Sequence, residues 1–147
     1  MEETAGKIAI GSDHAGFEMK EGLKGKFTDW GIGWVDFGTD SSESVDYPDV
    51  IHPLAKAVNE GIFEKAVILC STANGVSMVA NKYPNVRAAV CWCPEIAVLA
   101  RQHNNANMLA LPARFIGEEE AANCVKLFLN TPFEGGRHER RVNKIPM

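Results

Sequence analysis

The chain has 147 residues, 46% hydrophobic and 23% charged, which fits one globular domain around one core. Its net charge of -4 gives no general basic surplus for gripping nucleic acid, and no apolar run approaches the length that spans a bilayer. The acidic, polar first seven residues do not resemble a secretory signal, so the protein is expected in the cytosol with Cys70, Cys91, Cys93 and Cys124 as reduced thiols.

Short apolar runs at residues 7–11, 33–37, 66–70, 87–91 and 108–111 alternate with turns and helical patterns. This βαβα rhythm predicts a parallel sheet with helices on both faces, because parallel strands buried on two sides read as continuous apolar runs. No internal repeat, low-complexity tract or linker interrupts the chain, so residues 1–147 are expected to form one domain. In such sheets ligands bind at the carboxyl ends of the strands, which selects the loops after each run.

The first of these loops carries Ser12, Asp13 and His14. Asp13 could contact a ligand or cap the following helix, and the sequence leaves both open.

Cys70 ends the third run and precedes Ser71, Thr72, Ala73, Asn74 and Gly75, with a helix predicted from about Asn74. Unpaired N–H groups at a helix start favour thiolate over thiol, and a thiolate can act as general base or nucleophile. The same N–H groups can hold a developing oxyanion. An arbitrary buried cysteine is usually inert, but this position favours function.

Cys91 and Cys93 form a lone C-x-C that matches no common zinc pattern. Small buried hydrophobes are the better interpretation. A redox use of this pair is a distant third alternative.

Pro94 and Glu95 open a helix on which Ile96, Leu99, Ala100 and His103 share a stripe. His103 sits in the polar cluster of residues 101–105, where a helix C-terminus favours its protonated form. Asn104, Asn105 and Asn107 could serve only to end the helix.

Gly117 and the following glutamates start the next helix, with Ala121, Val125 and Phe128 on its apolar side. Arg114 follows the fifth run. After Gly135 and Gly136 come Arg137, His138, Arg140 and Arg141, whose guanidinium forks suit phosphate, although composition alone favours a solvated tail. Neither phosphate-loop nor dinucleotide fingerprint is present, so nucleotide cofactors gain no support.

Residues 11–16, Asp46-Tyr47-Pro48-Asp49, Ala80-Asn81-Lys82, Arg87-Ala88, residues 99–104 and Gly135-Gly136-Arg137-His138 with Arg141 resemble, in order, the motifs of the ribose-5-phosphate isomerase B and galactose-6-phosphate isomerase family. The resemblance runs from about Ile8 to Ile145. It implies a three-layer α/β/α Rossmann-like sandwich with a five-stranded parallel sheet. It further implies a homodimer or dimer of dimers with active sites at the subunit interface, where the C-terminal arginines reach the partner's site, and no metal or organic cofactor.

By the same resemblance Cys70 matches the base that moves a proton between C2 and C1. Thr72 and His103 match residues that open the sugar ring, with Asp13 assisting. His14, Arg114, Arg137, His138 and Arg141 match phosphate contacts. Ser71, Ala73, Asn74, Gly75 and Asn104 are expected to line the substrate. A glutamate used as base by another branch of the family is replaced here by Val76.

The implied reaction is interconversion of ribose 5-phosphate and ribulose 5-phosphate through a cis-enediolate. The alternatives are a six-carbon substrate such as allose or galactose 6-phosphate, and a non-catalytic sugar-phosphate-binding subunit. The family usually reads Cys-Gly-Thr-Gly where this chain has Cys70-Ser71-Thr72-Ala73. A side chain at a position that needs φ > 0 costs about 1–2 kcal/mol and could reshape the loop.

Overall fold

The computed structural model describes residues 4–146; Met1, Glu2 and Glu3, part of the segment expected not to be a secretory signal, lie outside them. Five strands form one sheet: β1 (Ile8–Ser12), β2 (Trp34–Asp36), β3 (Ala66–Cys70), β4 (Ala88–Val90) and β5 (Met108–Pro112). All pairings are parallel, in the order β2-β1-β3-β5-β4. The central strands β1, β3 and β5 are buried throughout, as their unbroken apolar sequences require. The edge strands β2 and β4 are shorter and half-buried.

Six helices connect and cover the sheet: α1 (Phe17–Asp29), α2 (Tyr47–Asn59), α3 (Asn74–Ala80), α4 (Pro94–Asn104), α5 (Glu118–Asn130) and α6 (Arg137–Val142). Side chains alternate across each strand and divide the core in two. Val67 and Leu69 of β3 pack with Leu23 and Phe27 of α1, Ala97 of α4 and Phe128 of α5. Ala66, Ile68 and Cys70 pack instead with Ile51 and Leu54 of α2 and Val76 and Ala80 of α3. The result is the expected α/β/α sandwich, with Cys70 facing the α2–α3 layer.

The chain leaves β1 toward β2 on one side, while β3 lies on the other. That reversal opens a crevice between the carboxyl ends of β1 and β3.

On α4, Ile96 and Ala100 of the expected stripe pack against the core, but Leu99 does not. Ala97, Ala100 and Arg101 are buried, whereas Leu99 is exposed. The two alanines let α4 approach the sheet closely. Arg101 is drawn inward by acceptors: Nε donates to Thr131 O at 3.0 Å, and Nη1 donates to Ala106 O at 2.7 Å and Asn105 Oδ1 at 2.9 Å. Asn105 ends the helix in the left-handed region, φ 47°, so its role is helix termination.

Candidate active site

Asp13 and His14 leave β1 at the crevice. Asp13 is buried and its Oδ1 accepts from the N–H groups of Ala15 (3.0 Å) and Gly16 (3.2 Å), so it caps the short 3₁₀ turn His14–Gly16. Its own N–H donates to Leu69 O at 3.3 Å, which ties the turn to β3. Gly16 is required at this approach, because a Cβ there would lie 2.7 Å from Leu69 Cβ. His14 Nδ1 accepts from Val45 N–H at 3.2 Å, so neutral His14 carries its proton on Nε2.

Behind this turn lies a charge network. The Nζ of Lys20, a fully buried side chain, is 2.6 Å from Asp36 Oδ2 and 2.9 Å from Glu21 Oε2, and Lys24 bonds the same two oxygens at 2.8 Å each. Asp36 Oδ1 also accepts from Gly38 N–H at 2.8 Å. Burial opposes ionisation of Asp36, but Lys20, Lys24 and the Gly38 amide outweigh it and hold the carboxyl below its ordinary value. Gly38 O in turn receives Ser12 N–H at 2.7 Å, and Ser12 O receives Thr39 N–H at 2.7 Å. The network therefore braces the strand end that carries Asp13 and His14.

Across the crevice, Cys70 is 6% exposed at the end of β3 and shares its hydrophobic cluster with Ala73 and Val76. Cys70 O accepts from Ala113 N–H at 2.9 Å, and Ser71 O accepts from Arg114 N–H at 3.1 Å. These bonds place exposed Arg114 beside the loop. Thr72 Oγ1 accepts from Asn74 N–H at 3.2 Å.

Ala73 sits at φ 64°, ψ 0°, the left-handed conformation at which the family's glycine is unstrained, whereas Ser71 has no positive φ. Ser77 Oγ donates to Ala73 O at 2.6 Å and holds that turn. Gly75 lies against the ring of Tyr47, and a Cβ there would be 2.5 Å from Tyr47 Cζ. Tyr47 was visible in the sequence only as part of a motif, without a role.

His103, Asn104, Arg137, His138 and Arg141 form a second group. The His103 and His138 rings stack at 4.2 Å with 10° between their planes. Glu134 Oε1 is 3.5 Å from His138 Nε2 and 3.9 Å from His103 Nε2. Glu134 N–H donates to Gln102 O at 3.1 Å and fixes the carboxylate at this end of α4. Glu134 is a site residue that sequence reasoning missed, since only a glycine pair and a fold bring it to His103. Lost hydration, then His103 and Arg137, push His138 below its ordinary value against the opposing pull of Glu134. Arg137 and Arg141 are exposed and have no carboxylate within 4.0 Å among the described residues.

His103, Glu134 and His138 offer ligand atoms within 4.8 Å of one another, a spacing that could admit a metal ion. The parallel rings point their lone pairs side by side, so closing on an ion requires them to splay.

One chain does not bring the two groups together. Helix α4 starts at the carboxyl edge of the sheet and runs for 11 residues, about 16 Å, to the amino edge, where Asn107 leads into β5. It also lies on the face opposite the one Cys70 enters. His103 and Asn104 are thus at the other end and the other side from Cys70.

The ribose/galactose isomerase family model matches residues 8–145. The chain belongs to that family. It is 42% identical to Escherichia coli ribose-5-phosphate isomerase B over 139 residues, 95% of this chain and 93% of that one. The fold superposes on a ribose 5-phosphate isomerase B structure from Thermotoga maritima with a TM-score of 0.93 and 50% identity, covering 97% and 98% of the two chains. The Mycoplasma genitalium ribose-5-phosphate isomerase B structure, with bound ribulose 5-phosphate, gives a TM-score of 0.91 and 38% identity over 95% of this chain and 93% of that one. The Cys70 loop and the Asp13–His14 turn of this family member lie at the crevice where the sheet topology puts a ligand.

Proposed function

We propose that the chain interconverts ribose 5-phosphate and ribulose 5-phosphate, with Cys70 as the base. The observation that carries this is the meeting of Cys70, its backbone-anchored loop, Asp13–His14 and Arg114 at the β1–β3 crevice of a family member. The names of the relatives support the pentose phosphate as substrate.

The site takes shape across two copies of the single domain. One copy supplies Asp13, His14, Cys70, Thr72, Arg114 and the loop of Ser71, Ala73, Asn74 and Gly75. The other supplies His103, Asn104, Arg137, His138 and Arg141. The separation of the two groups within one chain supports this division.

The phosphate docks on the arginines, with Nε2–H of His14 as a further donor. Asp13, Thr72 and the partner's His103 assist opening of the cyclic sugar. Cys70 thiolate takes the proton from C2, loop amides hold the oxygen of the cis-enediolate, the hydroxyl proton passes from O2 to O1, and Cys70 returns the carbon-bound proton to C1. The steps balance without an external oxidant, and no metal or organic cofactor is assigned a role. The setting is the cytosol.

The bulk of Ser71 and Ala73 near the sugar favours testing chain length directly. Purified protein assayed without added metal against ribose, allose and galactose phosphates is expected to turn over ribose 5-phosphate with the highest kcat/KM. A higher value for a six-carbon phosphate reassigns the substrate, and tight binding without any turnover identifies a non-catalytic subunit.

A further inference from the structure

At the amino edge of the sheet, opposite Cys70, lies a cavity of about 310 Å³. Glu64, Lys65, Arg87, Arg101, Asn105 and Asn107 contribute to its wall. Lys65 immediately precedes β3 and Arg87 immediately precedes β4, so parallel strand order sets the two cations at one end. Arg101 reaches the same space from the last turns of α4 and is 7% exposed.

The protein uses only part of their donor capacity. Arg101 spends Nε and Nη1 on Thr131 O, Asn105 Oδ1 and Ala106 O. Arg87 spends Nε on Asn105 O at 2.8 Å, and Lys65 has one long bond to Leu129 O at 3.4 Å. Nη2 of Arg101 and both terminal nitrogens of Arg87 have no protein acceptor among the described residues. Glu64 is the only carboxylate on the wall, and no carboxylate among the described residues comes within 4.0 Å of any of the three cations.

Burial holds all three cations below their ordinary values. Arg101 adds to the effect at Lys65 and Arg87 adds to it at Arg101, while Glu64 opposes it at both. Three partly dehydrated cations against one carboxylate leave a positive hollow with unspent guanidinium donors.

We propose that this cavity is a second anion site, built for a phosphate group, either inorganic phosphate or the phosphate of a small metabolite. Guanidinium forks and an ammonium converging on one hollow are the chemistry that recognises a tetrahedral oxyanion. The volume holds a small phosphorylated molecule and no more. Arg101 and Asn105 flank His103 and Asn104 at the end of α4, so occupancy braces the segment assigned above to the partner's site. The inference rests on these residues and not on the isomerase reading.

The test uses the full-length Arg137→Ala/Arg141→Ala protein, which lacks two of the three arginines assigned to substrate phosphate; binding left at Arg114 is told apart because it does not depend on Lys65. Inorganic phosphate, ribose 5-phosphate and chloride at matched ionic strength are titrated calorimetrically. Saturable binding of phosphate near one per chain, not reproduced by chloride, is expected. Lys65→Met in that background weakens it at least about tenfold, the loss expected when one charge-assisted bond goes. Arg87→Met does the same if it folds. Lys65→Met, which removes only the 3.4 Å bond, keeps the test open if it does not.

Tighter binding of ribose 5-phosphate, equally sensitive to Lys65→Met, identifies a phosphorylated metabolite; weaker or equal binding identifies the inorganic ion. Absence of saturable binding, equal binding of chloride, or insensitivity to Lys65→Met overturns the proposal. If Arg137 and Arg141 do not bind phosphate, wild type and the double variant bind it alike, which bears on the isomerase reading and not on this cavity.

Discussion

Replacing Ala73 by glycine isolates the conformational cost of the Cys70 loop. Ala73 is fully buried and sits at φ 64°. Glycine releases the left-handed penalty, about 1–2 kcal/mol. Against this stand about 0.4–1 kcal/mol for the freer unfolded chain and about 0.8 kcal/mol for the lost buried methyl. The balance lies within about 1 kcal/mol of zero. The reference is Ala121→Gly, also fully buried but inside α5, where propensity and burial both act against glycine and the loss is about 1.8 kcal/mol. Urea unfolding of the two variants and wild type, with m-values held equal, reads the difference. Equal destabilisation of the two variants refutes the claim that Ala73 is strained.

Lys20→Met leaves Asp36 with Lys24 alone and is expected to cost about 2 kcal/mol near neutral pH, less than a fully buried pair because Asp36 is partly exposed. The folded Asp36 carboxyl is held low, so its contribution is complete above the ordinary carboxylate range and disappears as pH falls through the folded value. The gap between wild type and Lys20→Met, followed by urea unfolding, should therefore narrow on acidification; a gap that widens contradicts the network. Gly75→Ala drives a methyl into the Tyr47 ring, which is 37% exposed and can swing away. Stability should change by less than about 1 kcal/mol because alanine favours the helix, while kcat/KM falls about tenfold, measured by steady-state kinetics. Mixing inactive Cys70→Ala with inactive His103→Ala subunits and allowing exchange should restore about a quarter of wild-type activity. Half of the dimers are then mixed, each with one intact site. Activity that stays at the level of the separate variants argues against sites shared between chains.

The three central strands and the helix starts at Asn74, Pro94 and Glu118 were legible because continuous apolar runs, a small polar loop after a strand, a proline at the first turn and a glycine before an acidic first turn each have one good structural solution. The stripe of Ile96, Leu99, Ala100 and His103 held at Ala100 and at Ile96, which packs against the core, and misled at Leu99, which is exposed. Hydropathy cannot register that two alanines permit close packing, or that backbone carbonyls draw Arg101 inside. Asp13 was open in sequence because a carboxylate can cap a turn and contact a ligand; both capping bonds go to Oδ1, which leaves Oδ2 for the ring-opening role proposed above. The stacking of His103 on His138 and the approach of Glu134 join residues 30 or more positions apart, which no local pattern encodes. The strain at Ala73 was visible as a departure from a family glycine, and φ 64° gives its cause.

The decisive measurement is turnover of ribose 5-phosphate by purified Cys70→Ala, without added metal, beside wild type of matched unfolding midpoint. Loss of at least about a hundredfold in kcat is predicted for removal of the only proton carrier between C2 and C1. A variant that retains activity within a few-fold of wild type contradicts the assignment of that sulfur as the base.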